Sequence, residues 1–358
     1  MSAAETLKWV SLALMLAQNA ITPLIFRYAT TSADAAHRYN TSVAVFTSEA
    51  IKLFASFVLI GVEENYSLSG AISTVNEQII KKPKDTLKLA VPATLYFVQN
   101  VLLQLASSNL PAALFQVTYQ GKTLVVALFS VFLLQKELIR ARWFAIFLMA
   151  AGIATVQLSS SKEGAQKDMA NSEEQSIVTG LIFVLLGCFC SGFAGVYFEM
   201  LMKQKASMWV RNVQLASFSL VIGLVPIIAS GETPNTMYHG FDEAVWVMVL
   251  NNAAGGLCVA FVIKYADNIL KGFACALATI VATLASVPLF GFELTFSFFV
   301  GMIVVIGSTL LYGGTVKMSG NYWNSEPPLC KGIRGAPASA DYEKVSMSDV
   351  PEESVNKA

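Results

Sequence analysis

Residues 131–153 read VFLLQKELIRARWFAIFLMAAGI. One apolar run ends, a patch holding Lys136, Glu137, Arg140 and Arg142 interrupts it, and a second apolar run begins. The same order recurs 156 residues later, where the chain from Val287 reads VPLFGFELTFSFFVGMIVVIGSTL. Val131, Leu133, Glu137 and Leu138 fall on Val287, Leu289, Glu293 and Leu294 without gaps. Four identities between apolar segments carry little alone, so their weight depends on where they fall in the chain.

The surrounding composition decides the class. A chain of 358 residues could by length form two soluble domains. Charged residues are only 13%, however, against roughly 25% in soluble globular proteins, and apolar residues are 55%. The 24 basic and 24 acidic residues cancel, so no net field points to nucleic acid. Most of these charges lie in short patches between long apolar stretches, and eleven sit in the tail 317–358. That arrangement is an integral membrane protein.

Crossing the hydrocarbon core takes about 20 mostly apolar residues as a helix. Ten stretches qualify: 6–28, 40–62, 86–108, 111–134, 141–160, 177–202, 208–230, 243–265, 268–291 and 295–316. Internal Pro92, Pro226 and Pro288 are tolerable, because neighbouring helices can satisfy the freed backbone groups. The first stretch is too long for a cleavable signal and runs into Phe26-Arg27 without a small-residue cleavage site, so it reads as a span. Lysine and arginine set the orientation. The even-numbered connections hold Lys81, Lys82, Lys84, Lys136, Arg140, Arg142, Lys203, Lys205, Arg211, Lys264 and Lys271, and the odd ones only Arg27, Arg38, Lys162 and Lys167. Both termini are therefore expected in the cytosol.

The longest polar break, 161–176, divides the spans into 1–160 and 177–316, five and five. Five is odd, so two such halves would lie in the membrane with opposite orientation, and the match between 131 and 287 falls where that symmetry places it. Inverted repeats are a recurring plan of secondary transporters, with the site near the midplane. The tail 317–358 is polar and poor in large apolar residues, so it is expected to be a disordered cytosolic segment. Cys188, Cys190, Cys258 and Cys275 lie inside spans and Cys330 in the tail; none has partners for a metal site, and packing is their expected role.

Ionisable groups inside spans are costly and mark function or ion pairing. Glu49 and Lys52 are three residues apart in the second span, on one face, and able to pair. Tyr96, Gln99, Asn100 and Gln104 form one stripe of the third span, as the wall of a wetted cavity would. Phe115, Tyr119 and Lys122 share a face of the fourth. Lys122 has no carboxylate on its own helix, so it needs an anion from elsewhere. Asn268 and Lys271 share a face of the ninth span; Lys271 is either a snorkelling anchor or a second cation converging with Lys122 on one anionic substrate. Arg211, Asn212 and Gln214 open the seventh span, and Asn251 and Asn252 lie in the eighth, with Asn252 counted among the ligand-facing amides.

Two cations, several amides and several aromatics suit a ligand with phosphate, a hydrogen-bonding ring and hydroxyls. No glycine-rich phosphate loop, histidine cluster or thiol–histidine pair occurs, so neither ATP hydrolysis nor a metal or organic cofactor is expected. A membrane glycosyltransferase would need an acidic metal-binding cluster at a membrane surface, which is absent from the sequence. The chain is expected to be a transporter, not an enzyme, with membrane lipid around it.

The stretches LKLAVPATLYFVQN (87–100), SNLPAALFQVTYQGKTLVVALFSV (108–131), SGFAGVYFEMLMKQKASMWVRNVQL (191–215) and IKYADNILKGFA (263–274) resemble the Golgi nucleotide-sugar transporters. The branch is the one holding the UDP-galactose, UDP-N-acetylglucosamine and CMP-sialic acid carriers. The likeness covers roughly 6–316. It implies an all-α polytopic fold of ten transmembrane helices in two inverted five-helix repeats, that of the drug/metabolite transporter superfamily. It implies exchange of a cytosolic nucleotide sugar for a lumenal nucleoside monophosphate across the Golgi membrane, by alternating access.

Carried onto this chain, the resemblance makes Lys122 and Lys271 the phosphate-binding lysines. Tyr96, Gln99, Asn100, Ser191 and Asn212 become nucleoside-facing, with Tyr119 nearby, and Glu49 and Lys52 lie towards the sugar. Gly192, Gly195 and Gly256 match glycines of close helix approach. The chain departs from common family readings at Val101, Gly121 and Met200. The segments SNLPAALFQVTYQ, ALFSV and GGLCVAFVIKYADNILKGFA look closer to carriers of UDP-galactose and UDP-N-acetylglucosamine than to those of CMP-sialic acid. Physics does not choose between uracil and cytosine here, since an amide can turn to meet either base. Exchange of CMP-sialic acid for CMP therefore stays open, as does export of another metabolite.

Overall fold

In the computed structural model the described residues are 3–32, 39–110, 115, 118–160, 177–204, 206–231, 233, 236–290, 295–316, 318–320, 322–325 and 327. All their regular structure is helical. The helices are α1 (Ala3–Ser32), α2 (Thr41–Glu63), α3 (Leu68–Val75), α4 (Pro83–Leu87), α5 (Ala90–Asn109), α6 (Lys122–Leu134), α7 (Arg140–Ser160), α8 (Ile177–Met202), α9 (Met208–Ala229), α10 (Glu243–Tyr265), α11 (Asn268–Phe290) and α12 (Phe296–Gly313). A helix thus lies in each of the expected stretches. Among the described residues, seven helices are long and apolar enough to cross a membrane, and α6 is a shorter apolar helix. The protein is a polytopic, all-helical membrane protein.

Polar residues at the run ends set the helix starts. The side chains of Asn40, Ser67, Ser207, Asp242 and Thr295 accept from the first-turn N–H groups of α2, α3, α9, α10 and α12, satisfying donors that would otherwise be orphaned. Gly314, at φ 80°, closes α12 in the left-handed conformation, which glycine adopts without steric cost. Large apolar side chains point outward along the spans, Phe54 and Ile303 being 67% exposed and Phe296 83%. In water that would be a liability; against lipid tails it is the required surface.

The helices sort into two compact units, each drawing on both halves of the sequence. The first unit holds α1 to α4, the start of α5 to Phe97, and residues 201–267 with α9 and α10. Within it α1 packs on α10, and α2 packs on α9 and α10. Its apolar clusters centre on Ala44, Val245 and Val249, and on Ile60, Ala71 and Val210. The second unit holds α5 from Val98, α6, α7, α8 to Met200, α11 and α12. Its main core runs from Ala127 and Val131 through Ile146 and Met149 to Phe273, Phe298 and Val305. Here α7 and α12 cross at two glycines: a Cβ on Gly301 would stand 2.8 Å from the Gly152 carbonyl oxygen. The backbones touch, as small residues allow in membranes. The division at 161–176 concerns chain order, whereas these units concern packing, and the two partitions differ.

The connection between α2 and α5 carries α3, a π-helical turn (Asn76–Ile80) and α4. Helices this short give no periodic signal and persist through tertiary contacts. The tail was expected to be disordered from residue 317, yet its first part folds back on α7. The N–H groups of Arg140 and Ala141 donate to the carbonyls of Ser325 (3.0 Å) and Trp323 (3.2 Å). The rest of the tail, with Cys330, lies outside the described residues.

Candidate functional site

The candidate residues divide between the units. In the second unit, α6 begins at Lys122, and Gly121 occupies its cap position. A side chain at Gly121 would meet the Thr118 carbonyl at 3.0 Å, so glycine suits the tight turn of 118–121. The Lys122 Nζ stands 4.1 Å above the centroid of the Tyr119 ring, and Tyr119 stacks on Phe115 with centroids 5.9 Å apart. The ammonium thus rests on a ring face, an attraction worth about 0.5–2 kcal/mol. Among the described residues no carboxylate pairs with Lys122.

Lys271 lies near the start of α11, beside Gly272. A Cβ on Gly272 would approach the Thr123 methyl at 3.9 Å, so α11 meets α6 one residue beyond each lysine. Lys122, Cys275 and Glu199 all act electrostatically on Lys271. The approach of Gly272 to Thr123 thus brings the stretches of α11 and α6 that carry the two lysines alongside each other.

Helix α8 closes this region by glycine contact. A Cβ on Gly192 would sit 2.6 Å from a Val125 methyl of α6, and one on Gly195 would collide with the Asn268 amide of α11. Ser191, half-buried, stands beside Gly192. Below it, Glu199 is wholly buried. Its Oε1 accepts from Lys136 Nζ at 2.7 Å and its Oε2 from the Asn268 N–H at 3.0 Å. A carboxylate at the first turn of α11 complements that helix's dipole and fixes the start of the helix that carries Lys271. On α5, Gln99 has a buried Oε1 without a partner among the described residues, whereas Asn100 is exposed.

In the first unit, Lys52 is 6% exposed and pairs with Glu49 at 2.6 Å. Its aliphatic stem lies against Gly256, where a Cβ would stand 2.6 Å from Lys52 Cδ. Asn212 is 1% exposed, and its Nδ2 has no hydrogen-bond partner among the described residues. Such a buried, unsatisfied amide is rare and requires a reason. Tyr96 is half-buried on α5. Asn252 borders a cavity of about 340 Å³ between α1, α2 and α10, with Asn19, Thr22, Thr41 and Met248 around it. Next to that cavity, Asn251 donates to Thr22 Oγ1 at 2.8 Å and Gln18 donates to the same hydroxyl at 3.0 Å.

A cation pair in one region, unsatisfied amides and an apolar helical frame match a carrier of an anionic, hydrogen-bonding solute. Comparison with known proteins gives the same direction. The family model for the nucleotide-sugar transporter matches residues 3–313. The chain belongs to the nucleotide-sugar transporter family.

Among its relatives, the human UDP-N-acetylglucosamine transporter is 42% identical over 88% of this chain and 98% of its own. The human UDP-galactose translocator is also 42% identical, over 87% of this chain and 78% of its own. The UDP-N-acetylglucosamine/UDP-N-acetylgalactosamine transporter of Caenorhabditis elegans is 41% identical over 87% and 95%. A solved crystal structure at 15% identity superposes with a TM-score of 0.60, covering 89% of this chain and 99% of that one; it speaks to the fold alone. These relatives are transporters, not enzymes, and nucleotide-sugar transport is the function of this chain.

For such a transporter, sequence reasoning missed two charged groups. Glu199 is an ionisable residue inside a span, the same signal that singled out Glu49, Lys52 and Lys122. Arg211 was read only as an orientation-setting cation that opens its helix. It is 2% exposed and donates to Asp85 at 2.6 Å, Gln214 at 3.1 Å and Gln204 at 3.0 Å.

Proposed function

We propose that the protein is a Golgi antiporter that imports UDP-galactose, and UDP-N-acetylglucosamine beside it, in exchange for UMP. The observation that carries this reading is the Lys122 ammonium lying over Tyr119 next to Lys271, with no carboxylate paired to it among the described residues. Cations held without an anion in an apolar surround are costly. A phosphate-bearing cargo removes that cost in the loaded carrier, and its departure restores it. Crossing empty is then less favourable than crossing loaded, which is the condition for exchange rather than one-way flow. A nucleoside diphosphate sugar carries about −2 and a monophosphate about −1.5 to −2 near neutral pH, so the exchange is nearly electroneutral. The uridine preference rests on the relatives named for UDP sugars and on the resemblance of the segments around Lys122 and Lys271.

In the proposed roles, Lys122 and Lys271 hold the phosphates, and Tyr96, Gln99, Asn100, Tyr119, Ser191 and Asn212 face the nucleoside. Glu49, Lys52 and Asn252 face the sugar. The proposed architecture is ten spans in two inverted halves, with both termini cytosolic. Support comes from the packing partners. Exchanging α1 for α8, α2 for α9, α5 for α10, α6 for α11 and α7 for α12 maps the α2–α9, α6–α11 and α7–α12 contacts onto themselves. It also carries the α1–α10 contact onto that between α8 and α5, where a Cβ on Gly187 would touch Leu103.

The test is uptake into proteoliposomes preloaded with UMP, CMP or nothing, across a panel of nucleotide sugars. UDP-galactose uptake that depends on internal UMP is the expected result. CMP-sialic acid uptake driven by CMP would reassign the substrate, and uptake indifferent to preloading would end the antiport reading.

A further inference from the structure

The connection between α2 and α5 is a built strap. Asn65 and Tyr66 both hold left-handed backbone, at φ 57° and 61°, a conformation that costs non-glycine residues of order 1 kcal/mol or more and persists only where the surroundings fix it. They reverse the chain so that α3 lies along α2. There Ala71 is buried among Ile60, Val210 and Val213. The far end is locked onto α9 by the Asp85–Arg211 ion pair at 2.6 Å and by the Gln214 amide, which donates to Thr86 Oγ1 at 3.0 Å.

The outward face of this strap carries two kinds of side chain. Leu68, Ile72, Ile80 and Leu87 are each more than half exposed. Lys81, Lys82, Lys84 and Lys88 are exposed among them. Lys81 pairs with Glu77, and Lys88 lies 3.3 Å from Asp85. The side chains of Lys82 and Lys84 make no ion pair or hydrogen bond among the described residues. Elsewhere in the cation-rich connections several of the described charges are engaged. Lys136 binds Glu199, Arg140 binds the Tyr322 carbonyl and Ser325, Arg142 binds the Glu137 carbonyl, and Lys264 binds the Met202 carbonyl. Setting orientation requires only that a lysine be present, so it does not account for this difference.

We propose that the strap 64–88 is a binding surface for anionic phospholipid headgroups, with Lys82 and Lys84 as its principal contacts. The segment joins two membrane helices directly, so its exposed leucines and isoleucines meet the interfacial layer, as the apolar face of an interfacial helix does. Lysines held at that depth attract anionic lipid. A free phosphate would have no use for Ile80 and Leu87. The lock onto α9 holds the lysines in place before lipid arrives, which lowers the ordering cost of binding.

The test uses the full-length chain in neutral detergent, titrated with a short-chain phosphatidylinositol phosphate and followed by its thermal unfolding midpoint. The wild type is expected to be stabilised with rising lipid, and neither phosphatidylcholine nor inorganic phosphate should match the effect. Lys82→Gln with Lys84→Gln should unfold normally without lipid and bind roughly thirtyfold more weakly, from about 1 kcal/mol per lysine. Removing two tail charges, Lys331→Gln with Arg334→Gln, should leave binding unchanged. An equal response from the strap variant, an equal loss from the tail variant, or reproduction of the shift by inorganic phosphate would overturn the proposal. The readout needs no transport, so its failure leaves the substrate assignment standing, and failure of that assignment leaves the strap proposal standing.

Discussion

Lys52 and Arg211 of the first unit and Lys122 and Lys271 of the second are handled in opposite ways. In the first unit Lys52 has Glu49 at 2.6 Å and Arg211 has Asp85 at 2.6 Å. In the second, among the described residues, Lys122 rests on an aromatic face and neither it nor Lys271 is paired with a carboxylate. A buried cation with a carboxylate is neutral as a pair and serves the fold. One without a carboxylate is paid for only when a ligand supplies the charge. The comparison therefore separates cations paired with a carboxylate from those that, among the described residues, have none and that we propose face the ligand.

The separation is most exposed at Arg211. Arg211→Met leaves Asp85 with only the exposed Lys88 beside it and releases the strap, and breaking a buried pair costs about 3–5 kcal/mol. With Asp85 still partly solvated, about 3 kcal/mol is expected, read as a large drop in the unfolding midpoint. A variant as stable as the wild type would show that pairing does not mark a structural cation here. Lys122→Ala should do the reverse: unfolding unchanged, and exchange of UDP-galactose for UMP down about a hundredfold, equivalent to about 2.7 kcal/mol. Exchange at the wild-type rate would sink the phosphate assignment.

Glu49 and Lys52 sharpen the contrast, because they are paired yet also proposed to face the sugar. Replacing both, Glu49→Leu with Lys52→Met, should leave stability within about 1 kcal/mol, since apolar substitutes for a buried ion pair are often neutral. UMP–UMP exchange should persist while UDP-sugar uptake falls roughly tenfold, the loss of one or two hydrogen bonds. If both exchanges fall together, the pair acts on the nucleotide or on the fold, and the sugar role is withdrawn.

What could be read from the chain in advance follows the same line. Helix positions were legible because each span is a long apolar run, and pairs within one turn were legible because helical spacing brings them together. Glu49 with Lys52 and Tyr119 with Lys122 are both three apart. Arg211 with Asp85 and Glu199 with Lys136 join different elements, 126 and 63 residues apart, and no local spacing announces them. Glu199 itself was detectable as a charge inside a span; its partner was not. The short helices α3 and α4 were illegible for a related reason, since contacts with α2 and α9 hold them in place. The unpaired state of Lys122 was foreseen only in part. Its own helix offers no carboxylate, but the lack of one paired to it among the described residues of other helices is a fact of packing.

Tyr119 gives the finest division of the comparison. If its ring holds the Lys122 ammonium between cargoes, the ring face matters and the hydroxyl does not. Tyr119→Phe should then transport within about twofold of wild type, since phenylalanine offers a similar face. Tyr119→Leu removes the face and should cost about 0.5–1 kcal/mol, seen as a two- to fivefold change in KM for UDP-galactose with the unfolding midpoint unmoved. A loss confined to Tyr119→Phe would move the argument from the ring to the hydroxyl, making Tyr119 a hydrogen-bonding contact to the cargo. Equal losses in both would place the phenol in the nucleoside pocket and leave Lys122 without a resting partner. The cost of its bare charge would then fall wholly on the empty carrier, and the barrier to uncoupled return would be higher than the ring contact implies.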